Sequence, residues 1–378
     1  MRVIILANHL EATDGWSRYA YDLAKNLKAA GHEILCLVNK KSSADIGQRV
    51  VFGSPLGYLA NPWRSFKTGK KIQSIFFEFQ PDIIHVVTEP YASCLIFCRY
   101  PKSKIIMTIH GTYAYPPALL SSSLKHFLAR LLTTSVYKKI TTVIAVSSFT
   151  KNHLIKKINS SKLRAKTKVI TNGIDLVSFP LLNTAPARDN KIKKIMFVGG
   201  IKSGKGILEA LAGLLYYKNN FSEEFQFIII GQAEPETSYF GALQKFINES
   251  NLIDQVVFRG RISHEELLAA YKEADLFLMP SLCVDDKWLE GFGLVYLEAA
   301  SQGVPCLGSK ESGAIDAIVD GETGYLVDAR DPVDIAKHID LVLNKKTINP
   351  AECLAWAEKN DIKNKIKEIT ELYRSALL

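Results

Sequence analysis

Short apolar runs rich in β-branched residues recur along the chain, separated by longer stretches whose apolar positions return every three to four residues. In the first half the runs are RVIILA, EILCLV, DIIHVV, KIIMTI and TTVIAVS. In the second half they are KIMFVG, FQFIIIG, QVVFRG, DLFLMPS, GVPCLGS and GYLVD. Runs this uniformly apolar are buried on both faces, and spacing them with helices predicts parallel sheets with crossover helices. The stretch FPLLNTAPARDNKIKK at 179–194 has linker composition. The expected fold class is therefore α/β, with two doubly wound Rossmann-like domains at 1–180 and 195–360 joined by a linker at 181–194. The closing NDIKNKIKEITELYRSALL predicts an amphipathic helix over 361–378 that packs back on the first domain, with Ile362, Ile366, Ile369 and Tyr373 on one face.

One predicted helix breaks the pattern. In WLEGFGLVYLEAASQGVPCLGS, two glycines loosen the chain at 291 and 293, LVYLEAASQ forms the helix, and Gly303 and Pro305 end it. Its apolar residues leave no polar face, which predicts burial all round. Yet Glu298 sits in the middle, and an unpaired buried carboxylate is very costly. It needs a protein partner or a ligand.

Composition adds little, and charge adds much. The chain has 378 residues, 47% hydrophobic and 22% charged, as an ordinary globular protein does. No apolar run approaches the ~18–20 residues of a membrane span, and MRVIILANH reads as a first strand rather than a signal peptide. Six cysteines without a CxxC pair suggest reduced thiols in a cytosolic protein. The net charge of +9 is divided very unevenly. Residues 1–189 hold 26 Lys/Arg against 10 Asp/Glu, and the remainder 21 against 28. Pro90 to Ile174 contains 14 Lys/Arg and no acid. Such a stretch predicts a surface that meets something anionic.

Ligands of open parallel sheets sit beyond the C-terminal ends of strands, so the residues following each run are the candidates. After the first comes NHLEATDGWSRY, where Gly15 opens a helix and is a weak phosphate candidate. After KIIMTI comes His110, either a satisfied core residue or a ligand contact, with Gly111 allowing close approach. After KIMFVG comes GGIKSGKG, in which freed N–H groups, a helix start and Lys205 suit a phosphate. It nearly matches a Walker A loop, but Gly206 replaces the magnesium-binding Ser/Thr, which predicts a phosphate site with no dedicated metal. After DLFLMPS comes Glu290, whose following N–H groups at Phe292, Gly293 and Leu294 suit a sugar hydroxyl or a phosphate oxygen.

Together EGFGLVYLE (Glu290 and Glu298), the GKG after a strand, VITNGIDLVSF, VVFRGRISHEELLAAYKEADLFLMPS and GETGYLVD resemble the retaining GT-B glycosyltransferases of family 4 over essentially the whole chain. EGFGLVYLEAASQGVP is similar to bacterial mannosyltransferases that modify phosphatidylinositol. The resemblance implies two facing Rossmann-like domains with a nucleotide-diphosphate sugar in the interdomain cleft. It implies Glu298 on the ribose, Glu290 with Gly291, Phe292, Gly293 and Leu294 on the sugar, and Lys205 on the diphosphate. Arg261 and Ile262 join the donor-binding set, Gly15 closes on the distal phosphate, and His110 faces the reaction centre. The departing phosphate then helps deprotonate the incoming hydroxyl, with no protein nucleophile, cofactor or essential metal. The sequence departs from the family at Gly200, where an arginine is usual, and Lys202 is the expected substitute. The loop LCVDDKW is also longer than the minimal family version.

The resulting expectation is a hexosyltransferase using GDP-mannose or a UDP-sugar. Its acceptor is lipid-linked or a polysaccharide precursor, reached peripherally at the cytoplasmic face of an anionic membrane. SSSLKHFLARLLTTSVYKK at 121–139 supplies the docking element, with Leu124, Phe127, Leu128, Leu131 and Leu132 in a stripe among basic residues. Competing readings are a GT-B sugar-nucleotide epimerase, transfer to a soluble acceptor, a P-loop hydrolase lacking its metal ligands, and a nucleic-acid binder. No reader motif supports the last, so no nucleic-acid partner is expected.

Overall fold

The computed structural model describes residues 1–11, 14–116, 122–184, 191–222, 224–232, 238–283 and 289–378. Most of LCVDDKW, and the part of the expected linker at 185–190, lie outside the described residues. The described chain divides into two compact units, one of Met1–Asn172 with Ile362–Leu378 and the other between Gly173 and Asp361.

The first unit is a seven-stranded parallel sheet. Its strands are β1 (Arg2–Leu6), β2 (Glu33–Val38), β3 (Gly47–Val50), β4 (Ile83–Val86), β5 (Lys104–Ile109), β6 (Thr142–Ala145) and β7 (Thr167–Val169). They are ordered β3-β2-β1-β4-β5-β6-β7. Alternation along β1 splits the core between the two faces. Ile4 and Leu6 join Ile84, Val86 and the helix Pro62–Phe79 on one side. Val3 and Ile5 join the helix Gly15–Ala29 on the other. The C-terminal helix Ile362–Leu377 completes this second face with Ile362, Ile366, Ile369, Leu372 and Tyr373. Sequence patterning misses β3 and β7. Both are edge strands with a single neighbour, so neither needs a fully apolar run.

The second unit has strands β8 (Lys193–Val198), β9 (Phe225–Ile230), β10 (Val256–Gly260), β11 (Leu276–Met279), β12 (Cys306–Ser309) and β13 (Gly324–Val327). They are ordered β10-β9-β8-β11-β12-β13 and all parallel. The chain passes between units at Asn172–Gly173 rather than at 180. Residues 174–180 already belong to the second unit because they are bonded into it. The Ile174 N–H donates to the Asn360 carbonyl at 2.9 Å. Phe179 is buried edge-on against His264, and the Gln302 side chain donates to the Pro180 carbonyl at 2.7 Å. Among the described residues no helix is long and apolar enough to cross a membrane, and all six cysteines are free thiols.

Candidate active-site residues

Sheet order locates the chemistry. In the second unit the strand order reverses between β8 and β11, and ligands of open α/β sheets bind beyond the C-terminal ends at such a reversal. The loops after those two strands carry Lys205 and Glu290. After β8 a short turn, Ser203–Lys205, ends at Gly206 with φ 75, from which the helix Ile207–Asn220 starts. A Cβ at Gly206 would lie 2.0 Å from the Pro280 carbonyl oxygen, and the Leu282 N–H donates to the Gly204 carbonyl at 2.9 Å. The two loops thus meet backbone to backbone, which only glycine permits.

This approach brings together residues to which the family resemblance gives separate tasks. Lys205 Nζ lies 2.5 Å from Glu290 Oε2, with the side chains 20% and 13% exposed. The site is therefore a sheltered ion pair rather than a lone phosphate cation. Lys202, an exposed side chain, lies over Gly200, since a Cβ there would be 3.5 Å from Lys202 Cε. Gly291 is wedged against Gly313, where a Cβ would meet the Gly291 carbonyl oxygen at 2.1 Å. The Gly313 N–H donates to the Glu290 carbonyl at 2.9 Å. Gly293, at φ 85, opens the helix Leu294–Ser301, whose first turn has no side-chain cap. Phe292 is buried beneath this corner. Arg261 and Ile262 stand apart, following the edge strand β10 two strands away from β8, with Arg261 exposed.

The expected all-round burial of the Leu294–Ser301 helix is corrected. Tyr296, Leu297 and Ala299–Ser301 are buried, but Leu294, Val295 and Glu298 are half-exposed on a shared face. Helical spacing puts positions 294, 295 and 298 together, so one stripe opens outward in an otherwise apolar element. Glu298 also has a protein partner, since the Tyr271 hydroxyl donates to its Oε2 at 3.1 Å. Tyr271 is fully buried, and burial followed by the Glu298 charge raises its pKa well above the tyrosine range. It therefore stays a donor and orients the carboxylate.

In the first unit the reversal falls between β1 and β4. Gly15 begins the helix that follows β1. Its N-cap Asp14 accepts the Ser17 N–H at 3.0 Å, and a Cβ on Gly15 would meet nothing within 4 Å. His110 follows β5 and donates its backbone N–H to Glu89 Oε1 at 2.7 Å. Its ring meets the Tyr19 ring edge-on at 4.9 Å. Burial holds the imidazole pKa down at about 3, so it is neutral near pH 7. Burial likewise pushes the Glu89 carboxyl up to about 7, although the N–H from His110 lowers it. His110 Nε2 and Glu89 Oε2 are both buried outside good hydrogen-bond geometry, although the Trp16 side chain lies close enough to lower the Glu89 carboxyl slightly. Two such atoms on neighbouring strand ends are an opening for a polar ligand.

Glu89 and Tyr271 were missed by sequence reasoning. Glu89 gave a usable signal, because it follows β4 and is the last carboxylate before the acid-free stretch. Tyr271 gave none, since its helix joins Glu298 only in three dimensions.

Comparison with known proteins places this geometry. A family model described as Glycosyltransferase Family 4 matches residues 13–178, and one described as Glycosyl transferases group 1 matches residues 182–363. Glycogen synthase of Mycobacterium tuberculosis is 25% identical over 359 residues, covering 87% of this chain and 82% of that protein. The GDP-mannose-dependent α-(1-6)-phosphatidylinositol monomannoside mannosyltransferase of Mycolicibacterium smegmatis is 38% identical over 97 residues, about 25% of each chain. Anabaena HepE, solved in complex with UDP and glucose, superposes with a TM-score of 0.74 at 19% identity, covering 99% of this chain and 100% of that one. With both halves matched and the two parallel sheets in place, the chain belongs to the family 4 glycosyltransferases of GT-B fold.

Proposed function

We propose that the protein transfers a hexose, with retention of anomeric configuration, from a UDP-sugar or GDP-mannose to a lipid-linked or polysaccharide-precursor acceptor at a membrane surface. The observation that carries this reading is the Lys205–Glu290 pair at the β8/β11 reversal, beside the uncapped helix start at Leu294 and one turn from Glu298. Lys205 would turn to the diphosphate, Glu290 and the 291–294 backbone to the sugar, and Glu298 to the ribose hydroxyls. Lys202 would replace the arginine missing at Gly200. The neutral His110 would offer a hydrogen bond rather than a proton, and Gly15 would close on the distal phosphate. The relatives' names support a nucleotide-sugar donor, since one uses GDP-mannose and HepE was solved with UDP.

Exposed apolar side chains among cations support the membrane surface. Leu124, Phe127 and Leu131 face outward on the helix Ser123–Lys139. Trp63 and Phe66 do so on Pro62–Phe79, with Lys67 and Lys70 over their rings. The test is a panel of nucleotide sugars incubated with the purified chain and scored for released nucleotide. Turnover of at least one is expected, with Lys205→Ala lowering it by ~10²–10³-fold, as loss of a fixed charge on a leaving group does. A retained anomer by NMR and activity that survives EDTA are also expected. An inverted product, an epimerised donor or dependence on added metal would overturn the reading.

A further inference from the structure

The acid-free stretch builds more than a charged surface. The helix Ser123–Lys139 and the segment around 157–166 flank a partly open cavity of about 920 Å³ within the first unit, the size of a small-molecule site. His126, Arg130 and Lys138 line it from the helix, where spacings of four and eight residues put them on one side. Lys157, Lys162 and Lys166 line it from the facing wall, and among the described residues no carboxylate does.

That wall is shaped by a corner. Asn159 takes a left-handed conformation at φ 47 and ends the helix Ser148–Ile158. Ser160 then caps the next helix, Ser161–Lys166, by accepting the Leu163 N–H at 3.3 Å. Lys157 and Lys162 therefore flank a tight turn. The Lys166 ammonium donates to the Tyr137 carbonyl and, at 2.8 Å, to the Ile140 carbonyl, tying the two walls together. Cations gathered round a concavity without acids focus positive potential into it, and the Arg130 fork matches a phosphate's oxygens.

We propose that this cavity is a binding site in its own right for a phosphate-bearing ligand with at least two negative charges. It is separate from the residues after β8 and β11 and requires neither donor nor transfer. The phosphate arrives either on a lipid headgroup or on a soluble molecule. Inorganic pyrophosphate distinguishes the site when titrated calorimetrically into the full-length Lys205→Ala chain, where the glycine loop of the second unit no longer contributes its cation. Adding R130A/K162A should weaken affinity at least about tenfold, and R130K/K162R should largely restore it, with the melting midpoint unchanged. K245A/K337A, which removes equal charge from exposed positions of the second unit, should have little effect.

In parallel, the same variants are co-sedimented with phosphatidylcholine vesicles with and without phosphatidic acid. If only pyrophosphate binding depends on the pair, the ligand is soluble; if pelleting with phosphatidic acid depends on it, the phosphate is lipid-borne. Should R130A/K162A fail to fold, the single R130A at an exposed position carries the same comparison. If neither probe's binding changes in R130A/K162A, or K245A/K337A weakens both equally, the cavity is no site and the charge acts only as a diffuse field.

Discussion

Glu298 and Glu89 are carboxylates in opposite situations. Glu298 is half-exposed and oriented by a tyrosine hydroxyl that burial keeps protonated. Its replacement by glutamine should leave the fold intact and weaken nucleotide binding roughly 10- to 150-fold, the worth of a charge-assisted hydrogen bond. Calorimetry with UDP and GDP measures this, and unchanged affinity for both would remove the ribose assignment. Glu89 is buried, with its pKa raised from 4.5 to about 7. Between those values the folded state holds a proton that the unfolded state has released, so this group lowers stability as pH rises from about 4.5 to 7. The span corresponds to on the order of 3 kcal/mol. His85 and His110, both lowered to about 3 by burial, act oppositely, and their stabilising contribution is lost as pH falls from 6.5 towards 3. Glu89→Gln should therefore raise the melting temperature at pH 8 relative to the parent and steepen the loss on acidification below pH 6.5. Thermal melts of both proteins from pH 5 to 8 check the sign.

The helices and loops around these residues are held by contacts that tolerate little change. Gly206 combines a left-handed φ with an approach to the Pro280 carbonyl that no Cβ can share. Gly206→Ala should cost a few kcal/mol, in the range of strained backbone substitutions, and should shift the β8 loop that carries Lys205. A lower melting temperature together with weaker UDP or GDP binding is the expected pair of results. The C-terminal helix is equally committed. Tyr373 bonds His85, His85 Nε2 lies 2.7 Å from Thr108 Oγ1, and Thr108 lies 3.1 Å from the Tyr19 hydroxyl. A buried chain of polar groups thus runs from the last helix to the tyrosine that packs on His110. Tyr373→Phe should destabilise the protein by ~1–3 kcal/mol, because it strands the His85 nitrogen. Truncation after Asp361 should prevent the first unit from folding by stripping one face of its core. Denaturant melts of the two variants would show it.

Over the whole chain the charge asymmetry and the outward apolar side chains point the same way. Each Lys or Arg near an anionic leaflet contributes ~1 kcal/mol, so Lys125, Arg130, Lys138 and Lys139 on the helix Ser123–Lys139 together give about 4 kcal/mol, enough for reversible association. Binding to anionic vesicles should fade between 0.1 and 1 M salt, as the Debye length falls from ~10 to ~3 Å. Phe127 and Leu131 are 57% and 50% exposed, so F127S/L131S should reduce vesicle binding without lowering the melting temperature. Equal pelleting with neutral and anionic lipids would leave a soluble acceptor as the better proposal.

Hydropathy alone determined the two parallel sheets. Eleven strands carry short apolar runs rich in β-branched residues, and such runs are legible without knowing their neighbours. The strand-end glycines, Lys205, Glu290 and Glu298 were legible for a related reason, since backbone freedom and charge in an apolar context are local properties. The edge strands β3 and β7 were not, because GQRV and TKV carry too few apolar residues to mark a strand. The unit boundary at 172 was not either, since Phe179 and Pro180 join the second unit through His264 and Gln302, more than 80 residues away. Only the folded chain decided that Lys205 meets Glu290, that Tyr271 holds Glu298, that Glu89 lies under His110 and that five cations and His126 share one cavity. Each joins residues distant in sequence, and their placement follows from strand order and crossover packing rather than from any pattern along the chain.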